Sequence, residues 1–328
     1  HPVQRAARGV RVTDPVQLAH PQASRHPQRP ISGPPELDHS GNDRRMARII
    51  TRSQALTDGF TDSELRRLCR DGTITRLRRG AYAGARDLVN LTETERHLLT
   101  ARATIARATA PDTVVSHASA ALLHGIALWD VPLGTVHLTR NRRTGGRRGQ
   151  FRTVHASPYD PDEATEVDGL RVTTVARTIA DLACSLPFEH AVCAADDAAR
   201  RLGVLGSEVA SVLARRPSRV GHARALRVAR FMNPGAESVG ESRSRVLLHE
   251  AGFVVELQRV VRCDKRSHRV DFFLPKSNVV GEFDGRVKYG RLVPTGDTPA
   301  DVLWRVKIRE DEIRDVGYEM ARWTWGDL

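Results

Sequence analysis

From Ile49 the chain reads IITRSQALTDGFTDSELRRLCRDGTITRLRRGAYAG: two short stretches with helical apolar spacing, then two short runs of strand character. That is the order of a winged helix. Thr61 is placed to cap the second helix, with Glu64 three residues on completing a capping box. Leu65, Leu68 and Cys69 form the apolar stripe of that helix, which leaves Arg66, Arg67 and Arg70 on its outer face. After a turn at Gly72, Ile74, Leu77, Ala81 and Tyr82 are set to pack, while Arg76, Arg78 and Arg79 project from the hairpin.

Residues 91–230 read as a mixed α/β domain. LTETERHLLTARATIARA has helical period, TVVSHASAALLHGIAL passes from a buried strand end or turn into a helix, and TVHLTR and RTVHAS read as strands. The loop NRRTGGRRG between those strands carries Arg142, Arg143, Arg147 and Arg148 among glycines. It suits phosphate contact, or equally a mobile surface loop. His117 and His124 stand seven apart on one helix side and read as capping or core histidines, with no third ligand at metal-site spacing. VTTVARTIADLACSLPFEHAVCAADDAARRLG gives one or two helices with Asp181, Asp196 and Asp197 near their faces. ARRPSRVGHARALRVARF follows, a strongly basic helix that either tracks a nucleic-acid backbone or forms the solvated face of a connector.

In the last part a helix from about Ser238 to Ala251 bears Glu241, and RVDFFLP and NVVGEFDG are two strands joined by a turn at Lys276 to Asn278. Asp271 lies in the first strand; Glu282 and Asp284 share one face of the second, beside core residues Val279, Val280 and Phe283. Carboxylates gathered at the ends of buried strands repel one another and lose hydration unless a cation compensates. A divalent metal is the simplest compensation, and a salt-bridge set with Arg269, Arg286 or Arg309 is the alternative. Trp323 and Trp325 alternate as on a final strand and are expected to pack in the core or at an edge.

The chain has 328 residues, enough for about two domains. No run approaches the roughly 18 apolar residues of a membrane span, so no membrane role is expected. The four cysteines lack a CxxC pair, against a disulfide scaffold or zinc ribbon. Net charge is +12, but it is unevenly placed: from Phe231 onward 16 basic residues face 16 acidic ones, and residues 1–230 hold 35 basic against 23 acidic. A positive front on a neutral back points to capture of a polyanion, with nucleic acid the leading candidate. All four lysines lie in the neutral back, while the other 47 basic residues are arginine. Lys288 and Lys307 are therefore candidates for ammonium chemistry that a guanidinium cannot replace. Residues 1–45 hold seven of the 17 prolines and no aromatic residue, the composition of a disordered extension, and regular patterning begins only after Met46, a candidate start.

ESVGESRSRVLLHEAG, HRVDFFLP, VVGEFDGRVKYG and KIREDEIRDVGYEMARWTW, in the order helix, strand, strand, helix, strand, resemble the PD-(D/E)XK restriction-endonuclease-like nucleases near the very-short-patch-repair branch. The resemblance implies that Asp271 and Glu282 ligate Mg²⁺ or Mn²⁺, that Glu241 orients a ligand or water, and that metal-bound hydroxide attacks a phosphodiester. The family's lysine two residues after the second acid is Asp284 here, a further candidate ligand; Lys288 or Lys307 would be the relocated lysine. ARIITRSQALTDGFTDSELRRLCRDGTITRLRRGAYA with VVSHASAALLHGI resembles the AbiEi-type antitoxin and transcriptional-regulator family, which implies promoter binding beside a partner toxin.

The expectation is thus an α/β, multi-domain cytoplasmic protein: a disordered 1–45, a winged helix over 46–90, a basic α/β domain over 91–230 and an endonuclease-like domain over 231–328. Its partner is double-stranded DNA, with RNA the competing polyanion. Its activity is metal-dependent phosphodiester hydrolysis, or transcriptional repression with a silent nuclease fold.

Overall fold

The structure, a computed structural model, describes residues 48–105, 110–264, 266–285 and 298–328, all within one compact unit spanning 46–328. The expected extension over 1–45, the candidate start at Met46, and Arg286 and Lys288 lie outside the described residues.

The winged-helix order is present: β1 (Ile50–Thr51), α1 (Arg52–Thr57), α2 (Asp62–Arg70), β2 (Ile74–Arg78) and β3 (Ala81–Gly84), with the strands ordered β1-β3-β2. Capping boxes start both helices, Thr51 with Gln54 and Thr61 with Glu64, so orphan backbone N–H groups find acceptors within the same turn. Gly72 and Gly80 take left-handed φ values of +76° and +77° where the chain reverses. Ala55, Leu65 and Tyr82 form the core, with Ile50, Phe60, Cys69 and Ile74 against it. Two helices, α3 (Ala85–Leu88) and α4 (Glu93–Ile105), lead onward.

The mixed α/β expectation for the middle region holds. Strands β4 (Thr113–Val115), β5 (Val136–Arg140), β6 (Arg147–Arg148), β7 (Arg152–Ala156), β8 (Ala164–Val167) and β9 (Leu170–Thr173) form one sheet in the order β6-β7-β5-β4-β9-β8. The β5–β7 and β4–β9 pairs are parallel. Helix α5 (His117–Leu123) packs with α6 (Val175–Ser185), α7 (Phe188–Leu202), α8 (Gly206–Ala214) and α9 (His222–Phe231) around Ile126, Ile179, Val192 and Val228. Pro187 separates α6 from α7, since it has no N–H to continue a helix.

The last part runs α10 (Val239–Glu250), β10 (Glu256–Arg262), β11 (Ser267–Leu274), β12 (Val279–Asp284), α11 (Pro299–Asp315) and β13 (Glu319–Thr324). Strand order is β10-β11-β12-β13, with β13 parallel to β12 and the other pairs antiparallel. β10 adds a strand to the expected order. Trp323 lies over Gly281, where a Cβ would come within 2.5 Å of the indole. Its Nε1–H donates to Ser244 Oγ on α10 at 2.6 Å, so Trp323 is a packing residue.

Helix α10 faces two ways. Val246 joins the middle-region core, and Arg245 donates to both oxygens of Asp196 on α7 at 2.7 and 2.8 Å. Burial holds the Asp196 carboxyl above its usual range, against the pull of Arg245. Arg245→Met should cost about 3–5 kcal/mol near neutral pH by stranding a buried carboxylate. The loss should shrink toward about pH 5: the folded variant then binds a proton on Asp196 that the unfolded carboxyl, near 4, does not hold. Urea denaturation at the two pH values checks this, and an undiminished loss would refute it.

Candidate functional site

Two candidate sites are built on this frame, one basic and one acidic. On α2, Arg66, Arg67 and Arg70 are exposed, turned outward because Leu65 is the buried position of the turn. On the hairpin, Arg76 and Arg79 are exposed. Arg78, expected to project, instead is half-buried and its Nη1 points to Ala103 O on α4 at 3.4 Å. The cause is a β-bulge: Arg76 pairs with Tyr82 and Arg78 with Ala81, so the register slips between them and Arg78 turns toward α4.

The middle-region loop carries its arginines as an exposed edge. Arg143, Arg147 and Arg148 are exposed, and Arg142, also exposed, donates from Nε to Asp112 Oδ2 at 3.1 Å. Residues 147–148 form β6, antiparallel to β7, which replaces the free loop of the sequence reading with a short hairpin. The two basic hairpins meet. A groove of about 310 Å³ is lined by Arg78, Arg79, Thr104, Arg147, Gly149, Gln150, Phe151, Arg152 and Val154, with no acidic residue among them. Phe151, half exposed to solvent, offers an aromatic face beside the guanidinium groups. The sequence reading did not single out Phe151 or Arg152; their only signal was position at the mouth of the RTVHAS strand.

The basic segment 214–231, expected as one helix, is a turn carrying Arg215, Arg216 and Arg219 followed by α9, and most of its arginines are occupied internally. Arg215 contacts Asp160, Asp162 and Glu163, Arg216 contacts Asp160 and Glu163, and Arg219 reaches Asp181 Oδ1 at 2.6 Å. Arg224 donates to Cys184 O at 2.6 Å, and Arg227 lies over the Phe188 ring. These side chains buttress the α6–α9 bundle, a role that neither the backbone-tracking nor the solvated-face expectation gave them.

The acidic site is centred on β11 and β12. Their last paired residues are Phe272 and Gly281, and one step beyond, Phe283 N–H donates to Asp271 Oδ2 at 3.0 Å. Glu241, buried in the first turn of α10, accepts from Glu237 N–H at 2.9 Å, Ser238 Oγ at 2.8 Å and Gln258 Nε2 at 3.1 Å. Glu282 is buried; Arg309 Nη2 stands 2.5 Å from its Oε1, a charge contact without hydrogen-bond alignment, and Arg322 lies 3.5 Å from Oε2. Burial pushes the Glu282 carboxyl up against both arginines, and the charges of Asp271 and Asp284 push the same way. Burial likewise raises Glu241, with Asp271 and Glu237 adding to it. Asp271 therefore acts on both Glu282 and Glu241, with Asp284 adding to the first and Glu237 to the second. Arg309 supplies the compensating cation for Glu282. Among the described residues Asp271, Glu282 and Asp284 do not bring donor atoms within 4.8 Å of one another, and Arg309 occupies Glu282, so a shared divalent ion would require the carboxylates to turn together and Arg309 to leave.

Of the two lysine candidates, Lys288 lies outside the described residues. Lys307 is exposed on α11, and Arg309, two residues and about 200° further round the helix, is the cation that reaches Glu282. Trp325 meets the Phe283 ring edge to face at 5.2 Å, another packing contact.

These features define a protein with an arginine-rich winged helix facing a basic hairpin, joined to a mixed sheet with an acidic cluster. Residues 42–83, ending within β3, match the family model described as "Transcriptional regulator, AbiEi antitoxin". That match supports a DNA-binding regulator reading for the front of the chain. No curated protein matches the chain. A crystal structure of RV2827C protein from Mycobacterium tuberculosis aligns over 60% of this chain and 76% of that one, at 16% identity and a TM-score of 0.39, too distant to carry an argument. Among the described residues no helix is long and apolar enough to cross a membrane.

If Arg309 compensates Glu282, Arg309→Met should destabilise the fold by about 1–3 kcal/mol, below the fully buried case because its guanidinium is partly solvated. Lys307→Met should stay within about 0.5 kcal/mol of the parent chain. Chemical denaturation of the two variants side by side gives the answer; equal effects would remove Arg309 from this role.

Proposed function

We propose that the chain is a DNA-binding regulator that sets α2 against the major groove and lays the basic groove between the two hairpins along the phosphates. The observation that carries this reading is the convergence of Arg78, Arg79, Arg147 and Arg152 on one groove with no acidic residue among its described lining. Arg66, Arg67 and Arg70 on α2 supply the base-facing or backbone contacts of a recognition helix, and Arg142, Arg143 and Arg148 extend the phosphate contacts beyond the groove. The matched regulator family supports promoter DNA as the target and a partner toxin as a second ligand of the same protein.

Fluorescence anisotropy with duplex DNA, using RNA as competitor, tests it. Arg79→Glu and Arg147→Glu should each weaken binding by about tenfold or more and flatten the log K against log salt slope by roughly one per lost phosphate contact. Binding that both reversals leave unchanged, or that RNA outcompetes, would sink the proposal.

A second reading, metal-dependent phosphodiester hydrolysis, is favoured by the position of Asp271, whose charge acts on both Glu241 and Glu282, with Asp284 beside Glu282. In it Asp271 and Glu282, with Asp284 near by, hold Mg²⁺ or Mn²⁺ once Arg309 swings away, and Glu241 orients Gln258 and the turn at Glu237. The ion would supply an activated water and charge neutralisation. Supercoiled plasmid should then be relaxed in Mg²⁺ or Mn²⁺ by the parent chain and not by folded Asp271→Ala or Glu282→Ala. Intact plasmid, with duplex DNA still bound, leaves the regulator reading alone.

A further inference from the structure

The middle sheet brings together three histidines that neither reading uses. On the parallel strands β5 and β7, His137 pairs across from Thr153 and His155 from Thr139, so the two imidazoles share one face two positions apart. His117, the first residue of α5, stacks on His155 with ring centroids 3.7 Å apart. His137 Nδ1 and His155 Nε2 are 2.9 Å apart, and one nitrogen from each of the three rings lies within 4.8 Å of the other two. Among the described residues this is the set of His, Cys, Asp and Glu side chains whose donor atoms converge.

Two further observations point the cluster at a ligand. His117 is held at φ +51°, in the left-handed region that only a few per cent of non-glycine residues occupy. Behind it, Nδ1 lies 3.0 Å from Ser116 Oγ and 3.9 Å from Asp181 Oδ2. Asp181 is fully buried; its Oδ1 is taken by Arg177 at 2.9 Å and Arg219 at 2.6 Å, while Oδ2 has no hydrogen-bond partner. The carboxylate lies beyond hydrogen-bond reach of the ring, so it acts on His117 by its charge, while Ser116 Oγ makes the hydrogen bond to Nδ1.

We propose that His117, His137 and His155 form a binding site for a zinc-class transition-metal dication, with the charge of Asp181 behind His117. Imidazole nitrogens select such ions over Mg²⁺ or Ca²⁺, which take oxygen ligands. Metal–nitrogen bonds of about 2.0–2.1 Å in a tetrahedron set the nitrogens roughly 3.3 Å apart, within reach of turns about χ2, which is a soft torsion in histidine. Burial, reinforced by the neighbouring imidazoles, lowers the pKa of His117 and takes that of His137 down to about 4; burial also lowers His155. Neutral imidazole is the form that ligates a metal ion. His137 and His155 are only partly buried, which gives the ion a path from solvent and leaves a fourth position for water or an outside ligand.

The test uses the full chain, treated with chelator and then titrated with Co²⁺, followed by displacement with Zn²⁺. One Co²⁺ per chain is expected, with d–d bands of low coordination number that vanish as Zn²⁺ enters. His137→Gln and His155→Gln should each weaken uptake by at least about tenfold, while His249→Gln on α10 should not change it. X-ray absorption at the zinc edge of the parent chain should show imidazole scattering and no sulfur, a readout that does not depend on the variants folding. No Co²⁺ or Zn²⁺ uptake by the parent chain, a sulfur shell, or undiminished uptake by a folded His137→Gln/His155→Gln chain would overturn the proposal.

Discussion

The guanidinium of Arg177 has no solvent contact, and much of the middle region is arranged to make that tolerable. Its Nε donates to Asp181 Oδ1 at 2.9 Å, Nη1 meets Glu163 Oε2 and Pro158 O, and Nη2 donates to Ser157 Oγ at 2.9 Å. A buried ion pair adds little net stability over apolar packing, but removing one partner strands a charge, so the set is kept or lost together. Through these bonds α6 is tied to the segment after β7, and Arg215, Arg216 and Arg219 extend the same network from the turn before α9. The end of β7 is thereby pinned, and with it His155, the hairpin partner β6 and one wall of the basic groove.

This network also explains why net charge was a coarse guide. The front of the chain holds 35 basic residues, yet those between Arg215 and Arg227 neutralise interior acids, cap carbonyls or cover an aromatic ring. Burying a guanidinium is acceptable only where carboxylates and carbonyls take up its donors. What remains for a polyanion includes Arg66, Arg67 and Arg70 on α2 and the arginines of the wing and the β6–β7 hairpin, of which Arg78, Arg79, Arg147 and Arg152 share one groove. The acidic cluster follows the same rule in reverse, since Glu282 is buried and carries Arg309 and Arg322.

A good part of this was legible in the residues. The Thr61–Glu64 capping box, the alternation of RVDFFLP and NVVGEFDG, and the Ser238 helix start all appear where their patterns put them. The neighbourhood of Asp271, Glu282 and Asp284 followed from strand alternation, and Glu241 joined them only through the nuclease resemblance. Arg78 did not follow, because alternation assumes an unbroken register and the bulge after Arg76 breaks it. The histidines escaped for a related reason: His117 was weighed with His124, its neighbour in the helical period, whereas His124 Nε2 meets Thr173 O at 2.7 Å and His117 meets residues 20 and 38 positions away.

What the residues determined alone is local. Caps, apolar periods, turn glycines and the break at Pro187 depend on neighbours a few positions apart, and so does the split between a basic front and a neutral back. The tertiary structure decided the partners of the charges: which arginines face solvent and which neutralise Asp181, Asp196 and Glu282, and which imidazoles meet. Those pairings depend on strand order and register between segments tens of residues apart. A parallel β5–β7 pair or a helix docked through Arg245 leaves no periodic trace in either segment, because its energy exists only once both surfaces are desolvated together.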